Sequence, residues 1–179
     1  MTYEEIQKKL LDDDGRPCLT VPVVLFLKII LDKTMTVLET GSGRSTIWFA
    51  RQVKEVISFE SQEKWHHGVM ERLEKEGLNN VIIHYDPDYS TNSFPKFEGE
   101  FDVVFLDGAD GHGDRVAVMK AGHKFVKPGG YLIVDDSHRS VYEEGIRVLR
   151  GLGWHRIDFW SYGYKSEALK LCLVWRRPK

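Results

Sequence analysis

Two glycines spaced two residues apart follow an acidic residue in the segment Glu39-Thr40-Gly41-Ser42-Gly43. The apolar run 35–38 before it predicts a strand, and the pattern after it predicts a helix. Glycine lets the backbone turn tightly and approach a ligand closely, and the first N–H groups of a helix lack partners within the helix. We therefore predict that this segment holds a nucleotide-like molecule. The carboxylate of Glu39 favours a cationic ligand over a bare pyrophosphate.

Further acidic residues stand where the other predicted strands end. They are Glu60, Asp86, Asp107, Asp135 and Asp136. In parallel sheets that are covered by helices, ligands bind beyond the carboxyl ends of the strands. The repeated acidic residue therefore predicts a functional edge of the sheet. The alternative is that strand ends are exposed to solvent and carry acidic residues by chance.

Apolar periodicity and turn residues predict alternating strands and helices along the chain. Strands are predicted at about 35–39, 56–59, 81–85, 101–106 and 131–134, and helices at about 45–53, 61–77 and 114–126. Pro128-Gly129-Gly130 is predicted to end the last of these helices. Ser140 and Glu143 form a capping-box pattern, which predicts a further helix that ends at Gly151.

The last two predicted strands, 154–159 and 169–175, are joined by a loop too short for a helix, so we expect an antiparallel hairpin. The predicted fold class is therefore α/β. It is a Rossmann-like, doubly wound, seven-stranded and mostly parallel sheet with a C-terminal antiparallel hairpin. We expect one domain over residues 1–179, with N-terminal helices at 1–33 and the sheet at 34–179. Thr2 and Glu5 form a capping-box pattern for the first helix, and Thr20 can cap the second.

Composition and charge limit the classes of partner that we expect for this protein. The 179 residues are 42% hydrophobic, and Lys plus Arg number 25 against 27 for Asp plus Glu. Such a balance gives no overall basic field for nucleic acid. We expect no membrane partner and a cytoplasmic protein, because the start of the chain has no signal-peptide pattern and the most apolar run is far short of about 20 residues. Cys18 and Cys172 are predicted to be free thiols in a reducing cytosol.

The ordered set of these segments resembles the class I S-adenosylmethionine-dependent methyltransferases. The matching pieces are Glu39–Gly43, Glu60, Asp86, Phe101–Gly108 and Lys127–Asp136. Together they extend the resemblance over residues 35–175. The Asp-Gly pair after the fourth strand and the Asp-Asp pair after the fifth are most similar to the O-methyltransferases of small molecules. The resemblance implies S-adenosylmethionine as the cofactor and a small hydroxylated molecule as the methyl acceptor.

The resemblance also implies which residues hold the cofactor. Glu60 would accept hydrogen bonds from the ribose hydroxyls, the glycine loop would face the methionine part, and Glu39 would stabilise the ammonium or sulfonium group. Asp86 would bind the adenine amino group, or else it is a turn residue beside Pro87. The implied cofactor-binding residues are Glu39, Gly41, Ser42, Gly43, Glu60, Ser61, Asp86 and Asp107.

A divalent cation is a second implied ligand. In the metal-dependent O-methyltransferases the position of Asp107 ligates a metal together with two residues after the fifth strand, which are Asp135 and Asp136 here. Three carboxylates suit Mg²⁺ or a similar cation, which would lower the pKa of an acceptor hydroxyl. Asp135 can instead cap the following turn.

Asp107 and His112 are the candidate catalytic residues. The segment Asp107–His112 resembles the Asp-Gly-x-His pattern of some relatives, with an insertion, and the ordinary pKa of histidine suits proton transfer near neutrality. His138 is a second candidate base, and His112 can also be an exposed loop residue. Methyl transfer is an in-line displacement, in which alignment alone can supply roughly 7–11 kcal/mol. A base is therefore not required.

Three alternative functions remain open. An aminopropyltransferase is suggested by Asp107 and Asp110, which resemble its paired acidic residues. A nicotinamide-dependent dehydrogenase fits less well, because Thr46 stands where its fingerprint has a third glycine. A protein that binds S-adenosylmethionine without catalysis is the third. We also leave a homodimer open, since the aromatic segment Trp160–Tyr164, predicted to be a turn, can line a pocket or join two subunits.

Overall fold

The computed structural model describes residues 16–108, 114–162 and 168–179. Its helices are α1 (Val21–Ile30), α2 (Arg44–Ala50), α3 (Glu63–Glu76), α4 (Asp114–Gly122) and α5 (Glu143–Arg150). Its strands are β1 (Thr36–Thr40), β2 (Glu55–Glu60), β3 (Val81–Tyr85), β4 (Phe101–Leu106), β5 (Val126–Val134), β6 (His155–Tyr162) and β7 (Leu169–Arg176). Short 3₁₀ turns lie at Phe94–Lys96, His123–Phe125 and Ser140–Tyr142.

The seven strands form one sheet in the order β3-β2-β1-β4-β5-β7-β6. The first five are parallel, while β7 is antiparallel to both β5 and β6. This arrangement confirms the predicted fold class and the C-terminal hairpin. The order reverses between β1 and β4, so the switch point of the sheet lies at their carboxyl ends, which is where ligands bind in such folds.

Hydrophobic side chains cover the sheet on both faces, because successive residues of a strand point to opposite sides. Leu38 of β1 and Val104 of β4 lie in one core cluster with α4 and α5. Val37 and Val103 lie in the other, with α1, α2 and α3. A strand that is buried on both faces has no polar face, which explains the nearly continuous apolar run of β4.

The structure corrects the boundaries around β5. Helix α4 ends at Gly122, and Pro128-Gly129-Gly130 lies inside β5 instead of ending the helix. Pairing with β4 shifts between Phe101 and Val103. A Cβ atom on Gly130 would stand 2.8 Å from the Asp102 carbonyl oxygen, so glycine permits this close approach of the strands.

Two other local predictions are wrong, and one lies outside the described residues. Ser140 begins a 3₁₀ turn, α5 starts at Glu143, and no side-chain cap is formed there. Trp160, Ser161 and Tyr162 belong to β6 and do not form a turn, because they pair with β7. The capping box predicted at Thr2 falls on the segment 1–15, outside the described residues.

Both cysteines are free, as predicted, with Cys18 exposed and Cys172 buried. Within the described part of the chain, every helix is too short or too polar to span a membrane.

Candidate functional site

A cavity of about 540 Å³ opens where β1, β2 and β4 end. This volume lies within the range of about 300–1,000 Å³ that is usual for small-molecule and cofactor sites. Six of the predicted cofactor residues line it: Gly41, Ser42, Gly43, Glu60, Ser61 and Asp107. Glu39, Asp86, Asp135 and Asp136 are not among its lining residues. The structure therefore brings most of the predicted cofactor set together and leaves the proposed metal ligands mostly outside this cavity.

Gly41 and Gly108 bring two loops of the cavity into direct backbone contact. Both have positive φ angles, 81° and 67°. A Cβ atom on Gly41 would stand 2.7 Å from the Gly108 Cα, and one on Gly108 would stand 2.6 Å from the Gly41 Cα. Glycine is the residue that adopts such φ angles without strain. The loop after β1 and the turn after β4 are therefore fixed against each other.

Gly43 differs from these two glycines, because a side chain at this position would meet no protein atom. Its φ is 175°, which other residues also adopt. A Cβ atom built there has no neighbour within 4 Å, although Gly43 lines the cavity. Its N–H donates to the Thr46 Oγ1 at 2.8 Å. Neither packing nor φ explains a glycine here, whereas a ligand close to the backbone would.

Glu60 connects the end of β2 to the glycine loop. Its Oε2 accepts hydrogen bonds from the Ser42 N–H at 2.7 Å and the Ser42 hydroxyl at 2.9 Å. Its Oε1 accepts from the Gln62 N–H at 2.7 Å. The side chain is buried but borders the cavity. Glu60 thus presents a negative charge there while holding the loop in place.

Glu39 lies behind the glycine loop and is fully buried. Its carboxyl group contacts the hydroxyls of Ser45 and Thr46, both at 2.5 Å, and of Ser58 at 3.0 Å. Burial raises its pKa to about 8, against the lowering effect of these hydroxyls. This geometry favours a role in anchoring α2 to β2. Direct contact with a cationic ligand remains a prediction that this geometry does not favour.

Asp86 occupies a turn after β3. Its Oδ1 accepts from the Asp88 N–H at 3.0 Å and its Oδ2 from the Asn92 side chain at 3.1 Å. Its pKa is lowered, mainly by the hydrogen bond with the Ser93 side chain. Pro87 borders the cavity and Asp86 does not. The arrangement favours the turn alternative, since the carboxylate is engaged by its own loop.

Asp107 reaches the cavity and is held by a buried guanidinium group. Its Oδ1 accepts from the Arg115 Nη2 at 3.1 Å and from the Gly108 N–H at 2.8 Å. Arg115 is 1% exposed and also donates to the carbonyl oxygens of Gly108, Leu106 and Asp135. Arg115 therefore joins the ends of β4 and β5 to the carboxylate that faces the cavity.

Asp135 and Asp136 follow β5 and are both buried. Burial raises the pKa of Asp135 to about 7, assisted by the nearby charges of Asp107 and Asp136. Asp136 contacts the Arg139 guanidinium group, and its Oδ1 lies 2.8 Å from the Lys170 Nζ. Despite burial, hydrogen bonding with Lys170 and the neighbouring positive charges lower the Asp136 pKa.

These charges do not fit the proposed divalent cation. Among the described residues, no group of three or more His, Cys, Asp or Glu side chains is arranged to hold a metal ion. Asp107 is paired with Arg115, and Asp136 with both Arg139 and Lys170. Two buried carboxylate oxygens without a hydrogen-bond partner, the Oδ1 atoms of Asp135 and Asp136, are the feature that would favour a cation, but the second of them lies 2.8 Å from the Lys170 Nζ. Of the three carboxylates predicted as metal ligands, two are thus paired with positively charged side chains.

Several residues of the site were missed by sequence reasoning. Trp65 and Tyr89 line the cavity, Arg115 holds Asp107, and Lys170 holds Asp136. Trp65 stands on the first turn of α3, five residues after Glu60, so its position could have been inferred. Arg115 and Lys170 gave no signal, because their partners are distant in sequence. His112 and Asp110 lie outside the described residues.

Comparisons with known proteins agree with this geometry. A protein-family model described as "Methyltransferase domain" matches residues 38–137. No curated protein sequence matches the chain.

Solved structures of low sequence identity share the fold. The O-methyltransferase TomG from Streptomyces achromogenes, involved in tomaymycin synthesis and solved in complex with S-adenosylmethionine, has a TM-score of 0.71, 18% identity and 100% coverage of both chains. Precorrin-6y C5,15-methyltransferase from Geobacter metallireducens has a TM-score of 0.71 at 14% identity, covering 95% of this chain and 92% of its own. An S-adenosylmethionine-dependent O-methyltransferase from Thermotoga maritima has a TM-score of 0.65 at 19% identity, covering 93% and 69%.

Proposed function

The chain belongs to the methyltransferase-domain family and is a class I S-adenosylmethionine-dependent enzyme, and on this premise we propose that it methylates a hydroxyl group of a small molecule. The observation that carries the proposal is the cavity at the switch point of the sheet, with Gly43 open toward it. Neither packing nor φ explains Gly43, and Glu60 and Asp107 line the same cavity. This combination suits a positively charged ligand that lies close to the backbone.

Three residues of this chain would contribute to holding the cofactor in different ways. Glu60 supplies acceptor oxygens at the end of β2, Gly43 leaves room beside the loop, and Asp107 sets a negative charge at the end of β4. S-adenosylmethionine supplies a methyl group on a positively charged sulfur. Charges placed in advance, in a site that shields them from water, stabilise a cationic group more than charges in bulk solvent do.

Catalysis on this arrangement depends mainly on alignment. The acceptor oxygen would form its bond to the methyl carbon as the carbon–sulfur bond breaks, with the electron pair left on sulfur and the hydroxyl proton released to solvent. Arg115 keeps the Asp107 carboxylate in a fixed orientation at the cavity. Holding the reactants in line can supply roughly 7–11 kcal/mol. His112 remains the predicted base, and the proposal does not depend on it.

The acceptor class is supported by composition and by two of the related structures. TomG and the Thermotoga maritima protein are O-methyltransferases. A net charge of −2 provides no basic field for nucleic acid. A small hydroxylated molecule is therefore the acceptor we propose. We leave open above whether the enzyme acts as a monomer or as a homodimer. Fold similarity alone does not fix the acceptor.

Replacing Gly43 by alanine is expected to weaken cofactor binding without unfolding the protein. The added methyl group meets no protein atom but enters the space of the cavity. We expect the dissociation constant for S-adenosylhomocysteine to rise by about tenfold or more, the equivalent of about 1.4 kcal/mol. Isothermal titration calorimetry measures this, and thermal melting checks the fold. Gly68→Ala on α3, also in open space, is the matched control, and its binding should not change.

Trp65 is expected to report cofactor binding through its fluorescence. It borders the cavity and is 53% exposed, so a ligand that covers it changes the surroundings of the indole ring. Trp65→Phe should remove most of the fluorescence change caused by S-adenosylhomocysteine. Trp160→Phe is the control, since Trp160 is 54% exposed but lies on β6, away from the cavity. A signal lost in the Trp160 variant and kept in the Trp65 variant would contradict the assignment of this cavity.

The test of the proposed function combines binding with turnover. Calorimetry should show binding of S-adenosylmethionine and S-adenosylhomocysteine and none of NAD. Methyl release over a panel of phenols, sugars and other hydroxylated molecules should identify acceptors. Preference for decarboxylated S-adenosylmethionine with transfer of an aminopropyl group would favour the aminopropyltransferase alternative. Binding without transfer to any acceptor would favour the protein without catalysis.

A further inference from the structure

A second cluster of charges lies beside the cofactor cavity, at the ends of β5 and β7. Its centre is the Asp136 carboxylate, which is 8% exposed. The Lys170 Nζ lies 2.8 Å from its Oδ1, and the Arg139 guanidinium group contacts its Oδ2. Lys170 is the second residue of β7, and Arg139 follows β5 within the same loop as Asp136. Two separate parts of the chain thus direct a positive charge at one buried carboxylate.

This cluster is more than an ordinary surface ion pair. Exposed pairs contribute little, as is expected for Lys120 and Glu144, whose side chains are 45% and 55% exposed. The Lys170 side chain is 26% exposed and its partner is buried. Backbone contacts fix it as well, since the Ser137 N–H donates to the Leu171 carbonyl oxygen at 2.8 Å. The ammonium group is therefore held at a defined position.

Asp136 also has a backbone conformation that is uncommon for a residue other than glycine. Its φ of 53° makes it the one non-glycine residue with a positive φ among those the structure describes. Such residues are held in place by their surroundings. Here the two cations provide that restraint, and the turn aims the Asp136 carboxylate at Lys170 instead of at the cavity.

Three positively charged side chains pair with two of the carboxylates that were predicted as metal ligands. Arg115 pairs with Asp107, while Arg139 and Lys170 pair with Asp136. Lys170 also acts electrostatically on Asp135, which in turn lies near Asp107 at the cavity. A row of carboxylates thus runs from the cavity to Lys170, and fixed side-chain cations already compensate the charge that would attract a divalent ion.

We propose that Lys170 and Arg139, by pairing with Asp136, compensate the charge that would otherwise attract a divalent metal ion, and that the enzyme works without one. This inference rests on the proposed methyl transfer. In this transfer the proton of the acceptor hydroxyl leaves to water or buffer. The oxygen then forms the bond to the methyl carbon, the carbon–sulfur bond breaks, and the sulfur keeps the electron pair. Lys170 acts as a positioning residue through the carboxylates beside it.

Binding of Mn²⁺ to the full-length chain tests the proposal. Electron paramagnetic resonance measures free Mn²⁺ at millimolar concentration, and we expect the wild-type protein to bind none. Lys170→Gln removes the cation and leaves the carboxylates, so this variant should bind Mn²⁺. Lys170→Arg keeps the charge and should not. Lys120→Gln is the matched control for loss of a lysine from an ion pair.

Two results would overturn the proposal. One is Mn²⁺ binding by the wild-type protein that a chelator reverses together with activity. The other is a folded Lys170→Gln variant that, like the wild type, binds no Mn²⁺. If Lys170→Gln does not fold, Arg139→Gln takes its place, with the same expected gain of Mn²⁺ binding.

The readouts separate this proposal from the proposed function. Binding of S-adenosylhomocysteine should be unchanged in Lys170→Gln, and kcat/KM of the wild type for an identified acceptor should be unchanged by excess chelator. A kcat/KM of the wild type that falls by about tenfold or more in excess chelator overturns the proposal. Absence of cofactor binding by the wild type would instead contradict the proposed function, whatever the Mn²⁺ result.

Discussion

Alanine at Gly41 or Gly108 is expected to cost the protein a large part of its stability. Each substitution places a Cβ atom within 2.7 Å of the opposite Cα, and each residue has a positive φ. Neither backbone can move away easily, since both follow central strands of the sheet. We expect a loss of about 3 kcal/mol or more for each, against a total of about 5–15 kcal/mol for a typical domain. Urea denaturation measures the loss.

The matched controls for this prediction are Gly43→Ala and Gly68→Ala. Both introduce the same methyl group where no atom lies within 4 Å. Gly43→Ala should keep the wild-type stability, and Gly68→Ala should gain up to about 1 kcal/mol, because glycine is unfavourable inside a helix. If Gly41→Ala were as stable as Gly43→Ala, the backbone contact between the two loops would not exist in solution.

Glu39 is expected to control the pH dependence of stability. Its pKa is raised to about 8 in the folded protein, from the ordinary value of 4.5 for a glutamate side chain. Between these values the folded state keeps a proton that the unfolded state has lost. The free energy of unfolding therefore falls as the pH rises from about 4.5 to 8, by at most about 1.4 kcal/mol for each pH unit.

Replacement by glutamine should remove this dependence. Glu39→Gln keeps a neutral group of similar shape, so relative to the wild type its stability should improve steadily between pH 5 and pH 8. Glu39→Ala should instead lose about 3 kcal/mol or more even at pH 5, because the buried hydroxyls of Ser45, Thr46 and Ser58 lose their common partner. Urea denaturation at several pH values measures both effects.

Glu144→Gln is the control for the pH experiment. Glu144 is exposed, and hydrogen bonding with Lys120 lowers its pKa. Its contribution to stability is therefore present above its unfolded pKa and is lost only as the pH falls through the lower folded value. Between pH 5 and 8 the free energy of unfolding of this variant should change with pH in the same way as that of the wild type. If the same were true of Glu39→Gln, Glu39 would be ionised in the folded state.

Apolar strands between turn residues were the easiest part of the fold to predict. β3 and β4 have the predicted bounds, because an apolar run between turn residues leaves few alternatives. The start of β5 was missed, since Pro128-Gly129-Gly130 is typical of a loop in sequence and becomes part of a strand only through its pairing with β4 and its contact with Asp102. Such tertiary contacts override local preference.

The candidate site divides in the same way. Gly41, Gly43 and Glu60 were predicted because their chemistry is local to one strand end, and the structure places them on the cavity. The orientation of a carboxylate depends on partners far along the chain. In the sequence Asp136 resembles a metal ligand, but in the structure Lys170 of β7 lies beside it. The sequence alone does not show which of two neighbouring acidic residues turns inward.

The position of β1 at the centre of the sheet has a consequence for how the chain folds. Val37 of β1 pairs with Val56 on one side but with Val103 on the other, so one of its two neighbours is synthesised long after it. The hairpin of β6 and β7 joins segments that are close in sequence and can form early. Pairings of high contact order close slowly. We expect refolding from urea to be limited by the meeting of β1 and β4, with unpaired strand edges exposed to aggregation until then.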